Sequence, residues 1–163
     1  MLFRSRTRIA RVEEEHQILL RQYGDELLKF NRRHNLISSG AESHVYEHHI
    51  RHSLAITCLG FPPGSTVVDW GSGGGLPAIP LAISDPSVKI TSVDKVGKKT
   101  QAVASMAKRL SIPNIDVYHG RAEKWPSTAS HSVSRATAPL ATLWDWHMKM
   151  QTNTEVQQQI STV

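Results

Sequence analysis

The chain has 163 residues, a net charge of +5 and a single cysteine, with 39% apolar and 20% charged residues. These values fit one globular domain with its own core and argue against disorder. An aromatic share of 6% excludes a broad base-stacking platform, the lone Cys58 excludes an intramolecular disulfide or a cysteine zinc site, and no apolar run is long enough to span a bilayer.

The basic excess fits an anionic partner such as RNA. Part of it lies in Arg4, Arg6, Arg8 and Arg11, with no acid between them. That stretch reads equally as a phosphate contact or as a solvated tail. It carries no apolar segment of the secretory type, so a cytoplasmic location is expected.

Residues 9–31 follow a helical period, with Val12, His16, Leu19, Leu20, Tyr23, Leu27 and Phe30 on one face. A polar junction from Asn31 to Leu36 and a turn at Ser38-Ser39-Gly40 follow. Residues 42–59 predict a second helix with Val45, His49, His52 or Ser53, and Ile56 on one side, stopped by Pro62-Pro63-Gly64. Cys58 lies in its apolar stretch and reads as a small buried hydrophobe.

The pattern changes at Thr66-Val67-Val68, a β-branched run that predicts a buried strand ending at Asp69. The loop Gly71-Ser72-Gly73-Gly74-Gly75 follows, then a short helix from Leu76 to Ser84 with Pro77 and Pro80 near its start. Lys89–Val93 reads as a second strand ending at Asp94, Gly97–Leu110 as a helix, and Asn114–Tyr118 as a third strand. Ser132–Ser134 reads as a short fourth strand and Leu140–Met150 as a helix.

The glutamine-rich end, 151–163, has little to pack, and no further β-branched run is present, so the sheet is expected to be short of strands at its C-terminal side. Three regions result: 1–63 helical, 64–150 the α/β core, and 151–163 a polar tail. Strand, loop, helix, strand, helix, strand is the order of a mostly parallel, Rossmann-like sheet, which takes its ligand beyond the C-terminal strand ends.

Gly71, Gly73 and Gly75 alternate directly after the first strand, where glycine lets backbone approach a ligand closely. The spacing departs from the dinucleotide fingerprint, and no lysine-serine or lysine-threonine pair follows to make a phosphate loop. S-adenosylmethionine (SAM) has no pyrophosphate. It needs backbone contacts for its methionine part and an acid for its sugar hydroxyls. Asp94, ending the second strand, is that acid, and Asp69 is placed to orient the ammonium group. A dinucleotide site, or a tight turn with Asp94 capping the next helix, stays open on these residues alone.

His44, His48 and His52 recur at helical spacing, but only Glu47 is a close acid and no H-E-x-x-H occurs, so no metal is expected. His49 reads as a hydrogen-bonding residue between the helical region and the sheet.

The segments Phe30–Leu36, His49–Ser53, Val68–Ala82, Asp94–Lys99, Arg121–Glu123 and Ser134–Ala136 together resemble the 16S ribosomal RNA (guanine-N7) methyltransferase G family, also called glucose-inhibited division protein B. The glycine loop running into Leu76-Pro77-Ala78-Ile79-Pro80-Leu81 is the most specific match. The resemblance implies a helical N-terminal cap on a SAM-dependent methyltransferase domain, with a guanine of small-subunit RNA as acceptor. It implies cofactor contacts at Gly71, Gly73, Asp94, Ala122 and Glu123, a functional arginine at Arg135, and polar cap residues at Asn35, His49 and Ser53.

His52 departs from the family, which has an aspartate there. So does Trp70, where small or β-branched residues are usual. The family also continues beyond the matched part.

Guanine N7 already carries an exposed lone pair, so transfer needs no general base, only positioning and electrostatics. Arg135 can donate to guanine O6 or to a phosphate. Backbone at Ala122 can read an adenine edge, with Glu123 orienting the loop. Gly75 completes the expected cofactor set, Asn35, His49 and Arg135 form the expected acceptor side, and a monomer is expected. The alternatives are a SAM methyltransferase with another substrate, a non-catalytic RNA- or SAM-binding remnant, and a nicotinamide enzyme.

Overall fold

The β-branched run Thr66–Trp70 becomes β1, one of the two inner strands of a four-stranded parallel sheet. With β2 (Lys89–Asp94), β3 (Ile115–His119) and β4 (His131–Ser134), the order is β3-β2-β1-β4. The computed structural model describes residues 2–38, 40, 42–135 and 137–160. Residue 39 of the expected Ser38-Ser39-Gly40 turn and residues 161–163 of the expected tail lie outside that set, as do the side chains of Arg4 and Arg6.

Register places Asp69 beside Ser92 on β2 and Val133 on β4, and Trp70 beside Val93 and Ser134. Alternate β1 residues therefore serve opposite faces. Val67 joins one apolar cluster with Ile90, with Ile79 and Leu81 of α3 (Ala78–Ser84), and with Val103 and Met106 of α4 (Gly97–Arg109). Leu20, Tyr23 and Leu27 of α1 (Leu2–His34) belong to the same cluster, so the helical N-terminal region and the sheet share a core. Full burial of a leucine of this kind contributes about 1.5–3 kcal/mol.

On the other face Val68, Trp70 and Val93 meet Trp125, Ala129 and Met150. Trp70 is fully buried and lies edge-on to Trp125 at 5.5 Å and to Trp146 at 6.0 Å. The residue that departs from the family is thus the centre of a tryptophan cluster under α5 (Leu140–Ile160).

Four expectations change. Helix α1 runs beyond 9–31 at both ends, because nothing breaks it before His34; Asn35 then takes a left-handed conformation at φ 48°.

The segment expected as one helix over 42–59 is a chain of short pieces: a 3-10 turn at Glu42–His44, a π-helical stretch at Tyr46–Arg51, α2 at His52–Leu54 and a 3-10 turn at Ala55–Leu59. The wider turn separates the buried Val45 and Ile50 by five residues, so Ile50 and Leu54 face the core rather than His49, and of the expected pair His52 or Ser53 it is Ser53 that is buried. Cys58 is only partly buried as a result.

The tail is also corrected. Residues 151–160 continue α5 with no break after Met150, and Gln151 Nε2 donates to Ala129 O at 2.9 Å. No glycine or proline interrupts 140–160, and adding residues to an existing helix costs far less than starting one. Finally, α3 begins at Ala78 rather than Leu76, because the preceding residues belong to the glycine turn.

Candidate cofactor pocket and acceptor face

All four strands end on one edge of the sheet, and their following loops meet there. Gly71 leaves β1 at φ 69°, and its N–H and that of Ser72 donate to Val93 O at 2.8 and 3.1 Å. A Cβ at Gly71 would overlap the Thr137 side chain, which packs directly over it. The turn closes through Gly75 and Leu76, whose N–H groups donate to Ser72 O.

Asp94 is the clamp of this loop. Its Oδ2 accepts the Gly73 N–H and its Oδ1 accepts the Val96 N–H, both at 2.9 Å. Each oxygen keeps a further lone pair, and the carboxylate remains on the wall of a cavity of about 280 Å³. Gly71, Lys99, Ala122, Glu123, Thr137 and Trp146 are among the other lining residues. The structure therefore brings four sequence-predicted residues together: Gly71, Asp94, Ala122 and Glu123.

Asp69, Gly73 and Gly75 lie behind that wall. Asp69 has no exposed surface; its Oδ2 accepts the Ala78 N–H at 3.1 Å, which ties the start of α3 to β1, and its Oδ1 accepts no hydrogen bond of good geometry from the described residues. Burial pushes this carboxyl up to about 7, against the opposing pull of the Ser72 hydroxyl, the Ala78 N–H and Arg135. Gly73 lends its N–H to Asp94, and Gly75, at φ 91°, packs on Ile79.

The acceptor-side residues stand next to the loop. Arg135 follows β4 and donates from Nη1 to His49 Nδ1 at 3.0 Å. Burial lowers the Arg135 pKa, with Tyr23 and Asp69 opposing, yet a guanidinium stays charged at any ordinary pH. Ser53 Oγ donates to His49 O at 2.7 Å within the same helical stretch. Asn35 is exposed and reaches the loop only through its neighbour Leu36, whose backbone and side chain face Gly73 and Gly74.

Three contributors were not singled out for function in the sequence: Tyr23, whose buried hydroxyl donates to Gly74 O at 2.9 Å; Thr137, which donates to Trp70 O at 2.9 Å; and Trp146. Tyr23 carried one signal, a hydroxyl on the apolar face of a helix, which requires a buried acceptor.

A parallel sheet with a glycine turn after β1, an acid ending β2 and a pocket across the strand ends defines a Rossmann-like domain of the SAM-dependent methyltransferase fold. Solved structures share it. A SAM-dependent methyltransferase from Aquifex aeolicus superposes with a TM-score of 0.53 at 16% identity, covering 76% of this chain and 65% of that one. Precorrin-6y C5,15-methyltransferase from Geobacter metallireducens gives 0.51 at 12% identity, covering 62% and 55%.

Sequence comparison is more specific. The chain belongs to the GidB family, rRNA small subunit methyltransferase G, whose model matches residues 16–158. It is 51% identical over 129 residues to ribosomal RNA small subunit methyltransferase G of Salinibacter ruber, covering 79% of this chain and 60% of the relative. To the protein of the same name from Bacteroides fragilis it is 42% identical over 117 residues, covering 71% and 57%. The chain thus spans about three-fifths of the length of the curated relatives it matches.

Among the described residues no group of histidine, cysteine and carboxylate side chains is arranged to hold a metal, and no helix is long and apolar enough to cross a membrane.

Proposed function

We propose that this chain binds SAM in the pocket across its strand ends and transfers the methyl group to N7 of a guanine in the 16S rRNA of the small ribosomal subunit, acting as a cytoplasmic monomer. The observation that carries the proposal is the Asp94 carboxylate on the pocket wall, whose Oδ2 clamps the glycine loop at Gly73 while Oδ1 holds the Val96 N–H, each oxygen keeping a further lone pair.

The pocket fits the cofactor's chemistry: a carboxylate for vicinal hydroxyls, backbone at Gly71 for the methionine part, and backbone at Ala122 beside Glu123 for a purine edge. Asp69, Gly73 and Gly75 serve the same site by fixing the loop. When bound, SAM supplies a methyl group on a positively charged sulfur.

The protein's own work is positional. Trp146 and Thr137 close the pocket sides, and Arg135 offers N–H donors and positive charge to a guanine O6 or a phosphate. Asn35 and His49 stand on the same acceptor side. N7 needs no base, and none is assigned.

Calorimetry with SAM tests the first half: binding to the folded chain and at least a hundredfold loss in Asp94→Ala are expected. Labelled SAM incubated with unmethylated small subunits tests the second, with label on N7 of one guanine expected. A chain that binds SAM without transferring methyl is the second reading. SAM binding with no incorporation supports it.

A further inference from the structure

Arg135 is half-buried, and among the described residues no carboxylate stands within ion-pair distance of it. Its side chain is fixed instead by His49, through the 3.0 Å contact between Nη1 and Nδ1. A guanidinium only donates hydrogen bonds, so Nδ1 must be the unprotonated nitrogen and the imidazole must be neutral. The two residues are 86 positions apart: one lies in the π-helical stretch of the cap, the other in the loop beyond β4.

A carboxylate in this place would hold the arginine equally well but would also neutralise it. A neutral acceptor orients the guanidinium and leaves its charge for a ligand. The wider helical turn is what brings His49 here, since it moves Ile50 into the core and leaves His49 at the core edge.

We propose that His49 is the positioning residue for Arg135: as a neutral acceptor it aims the guanidinium at the RNA face, and so couples the helical cap to the acceptor site. The proposal rests on the reading of Arg135 as an RNA-facing residue. The surroundings agree with it. Burial, then the charges of Arg135, His48 and His52, hold the His49 imidazole below its ordinary pKa and so in its neutral form. From the other elements, Tyr23 of α1 and Asp69 of β1 are the titratable groups that act on Arg135. His49 Nε2, which then carries the proton, is buried without a hydrogen-bond partner among the described residues, so none of these competes to orient the ring.

The test uses the full chain and four variants: His49→Asn, whose amide oxygen can take the place of Nδ1, His49→Leu, Arg135→Ala, and the double His49→Leu/Arg135→Ala. SAM affinity is measured by calorimetry, and affinity for unmethylated small-subunit RNA by filter binding. His49→Leu is expected to weaken RNA binding about tenfold with SAM affinity unchanged within twofold, and His49→Asn to restore most of the loss. In the double variant, the loss expected is that of Arg135→Ala alone.

Nitrogen-15 chemical shifts of His49 report the same bond without RNA: Nδ1 should read as unprotonated at pH 7 and become protonated only below the ordinary histidine range, more readily in Arg135→Ala. Independent, multiplicative losses on RNA binding, or His49 shifts indifferent to Arg135→Ala, overturn the proposal. RNA binding unaffected by Arg135→Ala, with the expected nitrogen shifts intact, overturns the RNA-facing reading of Arg135 instead and leaves the His49–Arg135 bond standing.

Discussion

The substitution Asp69→Asn isolates the cost of a buried charge beneath the glycine loop. Asp69 has no exposed surface, one partnered oxygen and one that accepts no hydrogen bond of good geometry from the described residues, and its carboxyl is pushed from 3.8 to about 7. The folded state therefore holds the proton more tightly than the unfolded chain. The stability this group contributes is complete below 3.8 and is lost as pH rises through about 7. At pH 8 the ionised form costs the fold about 4 kcal/mol, at about 1.36 kcal/mol per pKa unit.

Asparagine keeps an oxygen for the Ala78 N–H but places an amide NH2 where the second oxygen stands, which costs about 1–3 kcal/mol. The variant should thus be more stable than wild type at pH 8 by about 1–3 kcal/mol. Between pH 8 and pH 5 wild-type Asp69 takes up its proton in the folded state, and the variant's advantage should shrink by about 3 kcal/mol. Urea unfolding of both proteins at the two pH values measures this, and taking the difference between them cancels the other titrating groups. A difference that stays constant from pH 8 to pH 5 would refute the assignment of a buried carboxyl that ionises in the folded state only near pH 7.

Three further outcomes are expected. Trp70→Ala should lower unfolding stability by about 3–5 kcal/mol, the usual range for a large buried aromatic, with loss of near-ultraviolet circular dichroism from the tryptophan cluster. Tyr23→Phe leaves Gly74 O without its side-chain donor, so a loss of about 1–3 kcal/mol is expected in the same assay, with a weaker SAM affinity because the loop is less constrained. Gly71→Ala places a methyl group on Thr137 and asks for a positive φ, so SAM binding by calorimetry should fall at least tenfold; pairing it with Thr137→Ala should recover part of that loss.

The β1–loop–β2 unit was legible because its signals are local. A β-branched run, glycines spaced for positive φ, and an acid at the next strand end each depend on a few neighbouring residues. Gly71, Asp94, Ala122 and Glu123 accordingly meet at one pocket. The helical segment over 42–59 was legible as helical but not in its phase. One wider turn changes which residues face inward, and the choice between α and π hydrogen bonding is made by what Val45, Ile50 and Leu54 pack against.

Asp69 shows the same division. Its identity at a strand end was plain in the chain, but strand alternation in the assembled sheet turned the side chain inward, to the start of α3. The polar run 151–160 has too few apolar residues to announce a helix, yet it extends α5 from a part already anchored by Trp146 and Met150.

The sequence by itself determined the order of elements, the loop that ends β1, the acid that ends β2 and the family, because these are written in short stretches of neighbouring residues. Only the tertiary structure decided that Asp94 clamps Gly73, that Tyr23 supports Gly74, that Trp70 centres a tryptophan cluster and that His49 meets Arg135. Each of these joins residues at least 21 positions apart. Chain connectivity does not bring such pairs together; burial of the shared core and the need to partner its polar groups do.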